Sequence, residues 1–229
     1  MPSSHYQKLQ AHIEELRRDL LPLPFVDTGI YDDVSRINTR TVAFVTLVHA
    51  ELEAYFETRA AEVANAAKDS FLSAQAHVCR VIVCLLGFQP GSGQAPGVKL
   101  SAAGNGESEL GAWKEETDIK SRVKAAADAY LSFVYSKNNG IKEENLAAIL
   151  LPIGFRYFGF DTFLITRLNE LGKARGGFVH RSKDKHLIEP LDPKTRYDQL
   201  KRLIDDIHTM DKEFDNLLSS TVPPAQAAA

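Results

Sequence analysis

The chain has 229 residues, 44% of them hydrophobic and 25% charged, with a net charge of −3. This fits an ordinary globular protein of one large or two small domains and excludes a globally basic nucleic-acid coat, so any RNA or DNA contact must come from a local patch. No apolar run approaches the ~18 residues of a membrane helix, and residues 1–16 lack the apolar centre of a secretory signal; the expectation is a cytoplasmic protein with no membrane contact. Cys79 and Cys84, five apart in an apolar run, form neither a disulfide framework nor a zinc site and are expected to be small buried hydrophobes.

In chain order, residues 4–21 place Leu9, Ile13, Leu16 and Leu20 at helical spacing. Ser3 or Ser4 can cap this helix. Pro22 and Pro24 stop it, because each lacks an N–H and restricts the residue before it. Asp32 or Asp33 can cap a longer helix reaching about Ala67, with Val42, Val45, Val48, Leu52, Tyr55, Phe56 and Ala60 in its apolar stripe. Its β-branched stretch 42–48 could be read as a strand, but the flanking periodicity and the missing turn signals favour helix. Glu51, Glu53 and Glu57 lie beside His49 on it. They read either as a solvated acidic face or with one carboxylate, Glu53 before Glu51, turned inward to hold a buried Arg, since a buried carboxylate needs such a partner.

Residues 69–88 read as a third helix, apolar nearly all round from Val78 to Phe88 and therefore central to the core. Residues 87–111 are rich in Gly, Pro, Ser and Ala and read as a flexible insertion, a spacer or a lid; the GSGQAPG within it lacks the Gly-Lys-Ser/Thr of a phosphate-cradling loop. Residues 112–136 return to helix, with acidic residues in the first turns as the helix dipole favours. Asn138-Asn139-Gly140 is a stop signal, with Gly140 suited to a left-handed cap. A short helix ending near Pro152 and Gly154 follows, then one starting at Asp161 or Thr162 with Phe163, Leu164, Leu168 and Leu171 apolar. The last helix spans about Lys194–Ser219, and residues 220–229 are expected to be a disordered tail. With no internal repeat and no βαβ alternation, the expected class is all-α. A single-domain bundle of six or seven helices is expected over residues 31–219, preceded by an N-terminal helix and linker over 1–30.

The helix that starts near Thr162 leads into Arg175-Gly176-Gly177-Phe178-Val179-His180. An Arg is permanently cationic and forks onto phosphate oxygens, and a His moves a proton near neutral pH. Together they suit phosphodiester chemistry without a metal. Between Arg167 and Arg202 there are ten Lys/Arg against five Asp/Glu. That excess reads as a solvated face or as a basic patch in which Arg181, Lys183 and Lys185 contact RNA. His186 and His208 read as surface residues and Trp113 as a core anchor. No His, Cys, Asp and Glu share a metal-ligand spacing, so neither a metal nor a cofactor is expected.

The order of these segments carries a resemblance. NNGIKEENLAAILLPIGF precedes an apolar helix that leads into RGGFVH, and an earlier long helix contains LVHAELEAYFE. This resembles the HEPN superfamily, in particular its RiboL-PSP-type and related bacterial members, over roughly residues 35–215. The resemblance implies a HEPN-like bundle that dimerises with two Arg-x4-His motifs facing each other. It implies a metal-independent endoribonuclease, as many members are, acting as a toxin or antiphage defence effector. Its partners would be a second copy, RNA, and an antitoxin or defence-system protein. It also implies an alternative, because other members only bind RNA, nucleotide or a partner protein. Carried over, the family's catalytic Arg falls on Arg175 and its His on His180; Gly176, Gly177, Glu53 and Glu51 are supporting residues read from the sequence itself. The sequence departs from the family where a polar residue, often Asn, follows the Arg, for here that residue is Gly176. It departs again where a subgroup carries a Tyr two positions after the His as the target of AMP addition; here that position is Ser182.

In such a reaction His180 would move the 2′-OH or leaving-group proton, and Arg175 would stabilise charge on the phosphorane-like transition state. Five residues along a regular helix turn about 140°, so the two side chains do not converge from one straight helix. Either Gly176 and Gly177 bend or end the helix, or a two-fold dimer gathers both copies of each residue around one cleft.

Overall fold

A computed structural model describes residues 2–26, 29–73, 76–88, 119–156, 162–180 and 191–224. The protein is all-α. Among the described residues there are seven α-helices, one 3-10 turn and no strand: α1 (Ser4–Leu20), α2 (Val34–Leu72), α3 (Arg80–Leu86), α4 (Ile119–Lys137), α5 (Glu143–Leu150), the 3-10 turn Leu151–Ile153, α6 (Thr162–His180) and α7 (Pro193–Thr221). The backbone divides into two compact units. The first holds Met1–Thr58, Asn139–Ala147 and Phe158–Glu213; the second holds Arg59–Asn138, Ala148–Tyr157 and Phe214–Ala229.

Local chemistry sets the helix ends. The Ser3 hydroxyl accepts from the Tyr6 N–H at 3.1 Å and caps α1. Asp33 Oδ1 accepts from the Arg36 N–H at 2.9 Å ahead of α2, and Asp192 Oδ2 accepts from the Thr195 N–H at 2.8 Å ahead of α7. Each satisfies an N–H that the first helical turn leaves open. The stretch 42–48 is helical, and Phe44, Val45, Val48, Leu52, Tyr55 and Phe56 are buried at i, i+3, i+4 spacing.

Several sequence expectations are corrected. Residues 69–88 do not form one helix. α2 runs on to Leu72, Ala76 adopts a left-handed φ of 46°, and α3 starts afresh at Arg80. The ammonium of Lys120 caps this end, donating to the Leu72 and Ser73 carbonyls at 3.3 and 3.2 Å, where a helix C-terminus attracts a cation. Gly140 is not a left-handed cap; among the described residues the left-handed glycines are Gly29 and Gly154. What Gly140 provides is room, because a Cβ there would sit 3.2 Å from the Asn145 carboxamide. α7 also continues to Thr221, into the segment expected as tail. Of the insertion expected over 87–111, all but Gly87 and Phe88 lies outside the described residues, as do Trp113 and the acidic residues before Ile119. Phe88 is an anchor, edge-on to Tyr130 and Phe133.

In the first unit, fully buried Asp211 accepts from the Ser3 N–H and hydroxyl at 2.9 and 2.6 Å and from the Tyr55 hydroxyl at 2.8 Å, which ties the start of α1 to α2 and α7. His208, expected at the surface, is half-buried with its ring against Tyr6. Asn169 of α6 caps α5 by accepting from the Glu143 N–H at 2.9 Å, and Gly172 lies against the Lys142 side chain so closely that a Cβ would meet it at 2.7 Å. These two contacts fix α6, the helix that carries the Arg-His motif.

In the second unit, Arg59 is 1% exposed. It meets Glu62 at 2.6 Å and Asp215 at 2.5 Å, and its guanidinium lies 5.3 Å from the centroid of the Phe214 ring. Arg59, which the sequence did not single out, is thus a buried arginine of α2 whose carboxylate partners are Glu62 and Asp215.

Candidate functional site

α6 passes through Gly176 and Gly177 without ending and carries the backbone to His180. Among the described residues, a Cβ added at either glycine would meet nothing within 4 Å, and neither glycine has a positive φ. Leu164, Leu168 and Leu171 bury the opposite part of the helix. Arg175 is exposed and makes no hydrogen bond or ion pair among the described residues. The side chains of Phe178, Val179 and His180 lie outside the described residues, as do Arg181, Lys183, Lys185 and His186.

Two residues of α2 lie within reach of the Arg175 charge. His49 is 2% exposed, and burial first and the Arg175 guanidinium second push its pKa down to about 4. It is therefore neutral at physiological pH. Glu53, one turn further on, keeps 19% side-chain exposure and lies 3.8 Å from His49 Nδ1. Its pKa is raised by burial and by the neighbouring charge of Glu57, with Arg175 pulling the other way. Glu53 thus faces the motif arginine through space without an ion pair to it. Glu51 takes a different partner, its carboxylate accepting from His12 Nδ1 of α1 at 2.8 Å.

Sequence reasoning named His49 only as a neighbour of the acidic residues. The usable signal was spacing: Val45, His49 and Glu53 recur every four residues and so share one helix face. Among the described residues, no group of three or more His, Cys, Asp or Glu is placed to hold a metal ion, and no helix is long and apolar enough to cross a membrane.

The arrangement offers a guanidinium uncommitted among the described residues, a neutral buried imidazole behind it, a partly buried carboxylate and two glycines that leave the helix face bare. That set can receive a phosphate and stabilise added negative charge on it. The family model for RiboL-PSP-HEPN matches residues 30–218. No curated protein and no solved structure matches the chain.

Proposed function

The chain belongs to the RiboL-PSP-HEPN family, and from that premise we propose that it is a metal-independent endoribonuclease, cutting RNA at a dimer interface and serving as a toxin or antiphage defence effector. The observation that carries the reading is the unbroken α6 with two bare glycines between Arg175 and His180. Because the helix does not end there, the two positions stay about 140° apart around its axis. A second copy across a two-fold axis then supplies the missing partner, bringing Arg175 of one protomer toward His180 of the other. Glycine inside a helix costs about 1 kcal/mol relative to alanine. Among the described residues, no turn and no crowding requires that cost at either position. Close approach of a second helix or of a phosphate accounts for it.

The reaction balances with one residue from each protomer. His180 of one takes the proton of a ribose 2′-OH, whose oxygen attacks the adjacent phosphorus. The bond from phosphorus to the 5′ oxygen breaks, and that oxygen takes a proton from water or from the imidazolium just formed. The products are a 2′,3′-cyclic phosphate and a 5′-hydroxyl. Arg175 of the other protomer holds the phosphate and neutralises the charge that grows on it. Neutral His49 leaves Arg175 without a repelling cation behind it. Arg181, Lys183 and Lys185 continue the chain beyond the motif and supply further phosphate contacts.

The test is purified protein with total RNA, beside His180→Ala and with excess EDTA. The reading predicts fragments ending in cyclic phosphate from wild type, unchanged by EDTA, and a loss of ~100- to 10,000-fold in His180→Ala, the usual cost of a missing proton-transfer group. Gly176, standing where the family has a polar residue, favours the alternative of a module that binds RNA, nucleotide or a partner protein without cutting. Equal RNA integrity in both lanes, under conditions where wild type is dimeric, would decide for that alternative.

A further inference from the structure

A second cationic site lies between α6 and α7. α6 turns Arg167, Glu170 and Leu171 to one face, and α7 answers with Arg196, Gln199 and Leu203 at matching one-turn spacing, with Arg202 beside them. They enclose a cleft of about 240 Å³. Its floor is apolar, with Val45, Leu171, Leu200 and Leu203 all buried beneath it. Its rim carries three guanidiniums and the carboxylate of Glu170, and Asp206 just outside the lining neutralises one of the three, Arg167.

The guanidiniums are held with donors to spare. Arg167 is ion-paired to Asp206 through one nitrogen, and Arg196 Nη1 donates to Gln199 Oε1 at 3.0 Å. Each guanidinium has five N–H groups, so these contacts orient the side chains and leave other donors free. Arg202 is exposed and makes no hydrogen bond or ion pair among the described residues. Cations already held in place lose less freedom when an anion arrives.

We infer that this cleft binds a nucleoside monophosphate unit, with the phosphate on Arg196 and Arg202 and the flat base over the leucine floor. An apolar floor beside cations calls for a ligand with both an apolar face and an anionic group. The volume lies below the ~300–1,000 Å³ of drug-sized pockets, which limits the ligand to about one nucleotide. Glu170 disfavours a bare, highly charged anion and can accept from a ribose hydroxyl or an exocyclic amine. The unit comes either from a free nucleotide or from a strand crossing the groove. Ala174 lines the cleft and Arg175 follows it directly, so a strand seated here would continue into the motif. The inference stands on the three arginines and holds whether or not the chain cuts RNA.

The experiment is calorimetric titration of the full-length His180→Ala protein, which keeps the cleft and removes cleavage. The probes are adenosine 5′-monophosphate, adenosine, inorganic phosphate and a 2′-O-methyl trinucleotide. Adenosine 5′-monophosphate should bind saturably, with adenosine and phosphate each at least about tenfold weaker, since each satisfies only half the site. Arg202→Ala and Arg196→Ala should each weaken it about tenfold, the usual effect of losing a charge-assisted hydrogen bond. Arg202→Lys should restore part of that loss, which separates a lost charge from a disturbed fold. A trinucleotide that binds more tightly than the mononucleotide, with the same Arg202 dependence, assigns the site to a strand; one that binds more weakly assigns it to a free nucleotide. Absence of saturation up to about 10 mM, or affinities equal in the parent protein and both alanine variants, would overturn the inference.

Discussion

Arg59 and Arg175 carry the same guanidinium and are treated in opposite ways. Arg59 is enclosed, met by Glu62 and Asp215 and laid over Phe214. Arg175 is exposed with its donors uncommitted among the described residues, while its charge acts on His49 and Glu53. The residues beside them repeat the contrast: Ala60 and Ala61 are buried, whereas Gly176 and Gly177 face open space. A cation that the fold requires is satisfied inside the fold, because an unpaired buried charge is costly. A cation whose donors stay open, next to a helix face kept bare, is arranged for something that arrives from outside.

The contrast breaks if either arginine behaves like the other. The largest effect is expected in activity. Arg175→Ala should lower RNA cleavage ~100- to 1,000-fold while changing the urea-unfolding free energy by no more than about 0.5 kcal/mol. Arg175→Lys should recover little, because an ammonium cannot fork onto two oxygens. Arg59→Ala should do the reverse in kind, lowering stability by about 3 kcal/mol in the same urea titration. Its two carboxylates keep roughly 40% exposure and can return to water, so the loss is chiefly one of packing and stays below that of an isolated buried ion.

A third test sharpens the site side of the comparison. The His49 imidazole titrates near its ordinary 6.5 when unfolded and near 4 when folded. Unfolding therefore takes up a proton between these values. Its contribution to stability is complete above about pH 7 and is lost as pH falls from 6.5 toward 4, a change of up to about 3 kcal/mol. Urea titrations across that range should show the fall, and His49→Gln should flatten it; an equal slope in the variant would mean that other groups cause it.

The smallest effect is the most pointed. Gly176→Ala and Gly177→Ala should each stabilise the isolated protomer by about 0.5–1 kcal/mol, since alanine fits the open space and favours helix. The same changes should weaken dimerisation in sedimentation and reduce cleavage. Stabilisation with unaltered dimerisation and cleavage would show that the bare face receives neither a second helix nor a phosphate.

What could be read from the sequence was what acts over short distances. The caps at Ser3 and Asp33, the helical reading of 42–48 and the Arg-x4-His spacing all involve residues a few positions apart. The cation that caps the end of α2 was not legible, because it is Lys120, 47 positions beyond Ser73. Nor was the burial of Arg59, which sits in a stretch that reads as polar and alanine-rich and whose partner Asp215 is 156 positions away. The cleft arginines are unremarkable one at a time; they become a site only when α6 and α7 face each other.

The central claim, that RNA is cut where Arg175 of one protomer meets His180 of its partner, is tested most directly by mixing two inactive variants. Arg175→Ala and His180→Ala protein are combined, allowed to exchange subunits, and assayed on RNA, with exchange verified by mass tags. In a mixed dimer one site loses both groups and the other regains both, so the mixture should recover up to about a quarter of wild-type activity. A mixture that exchanges fully and remains as inactive as either variant alone would contradict the account.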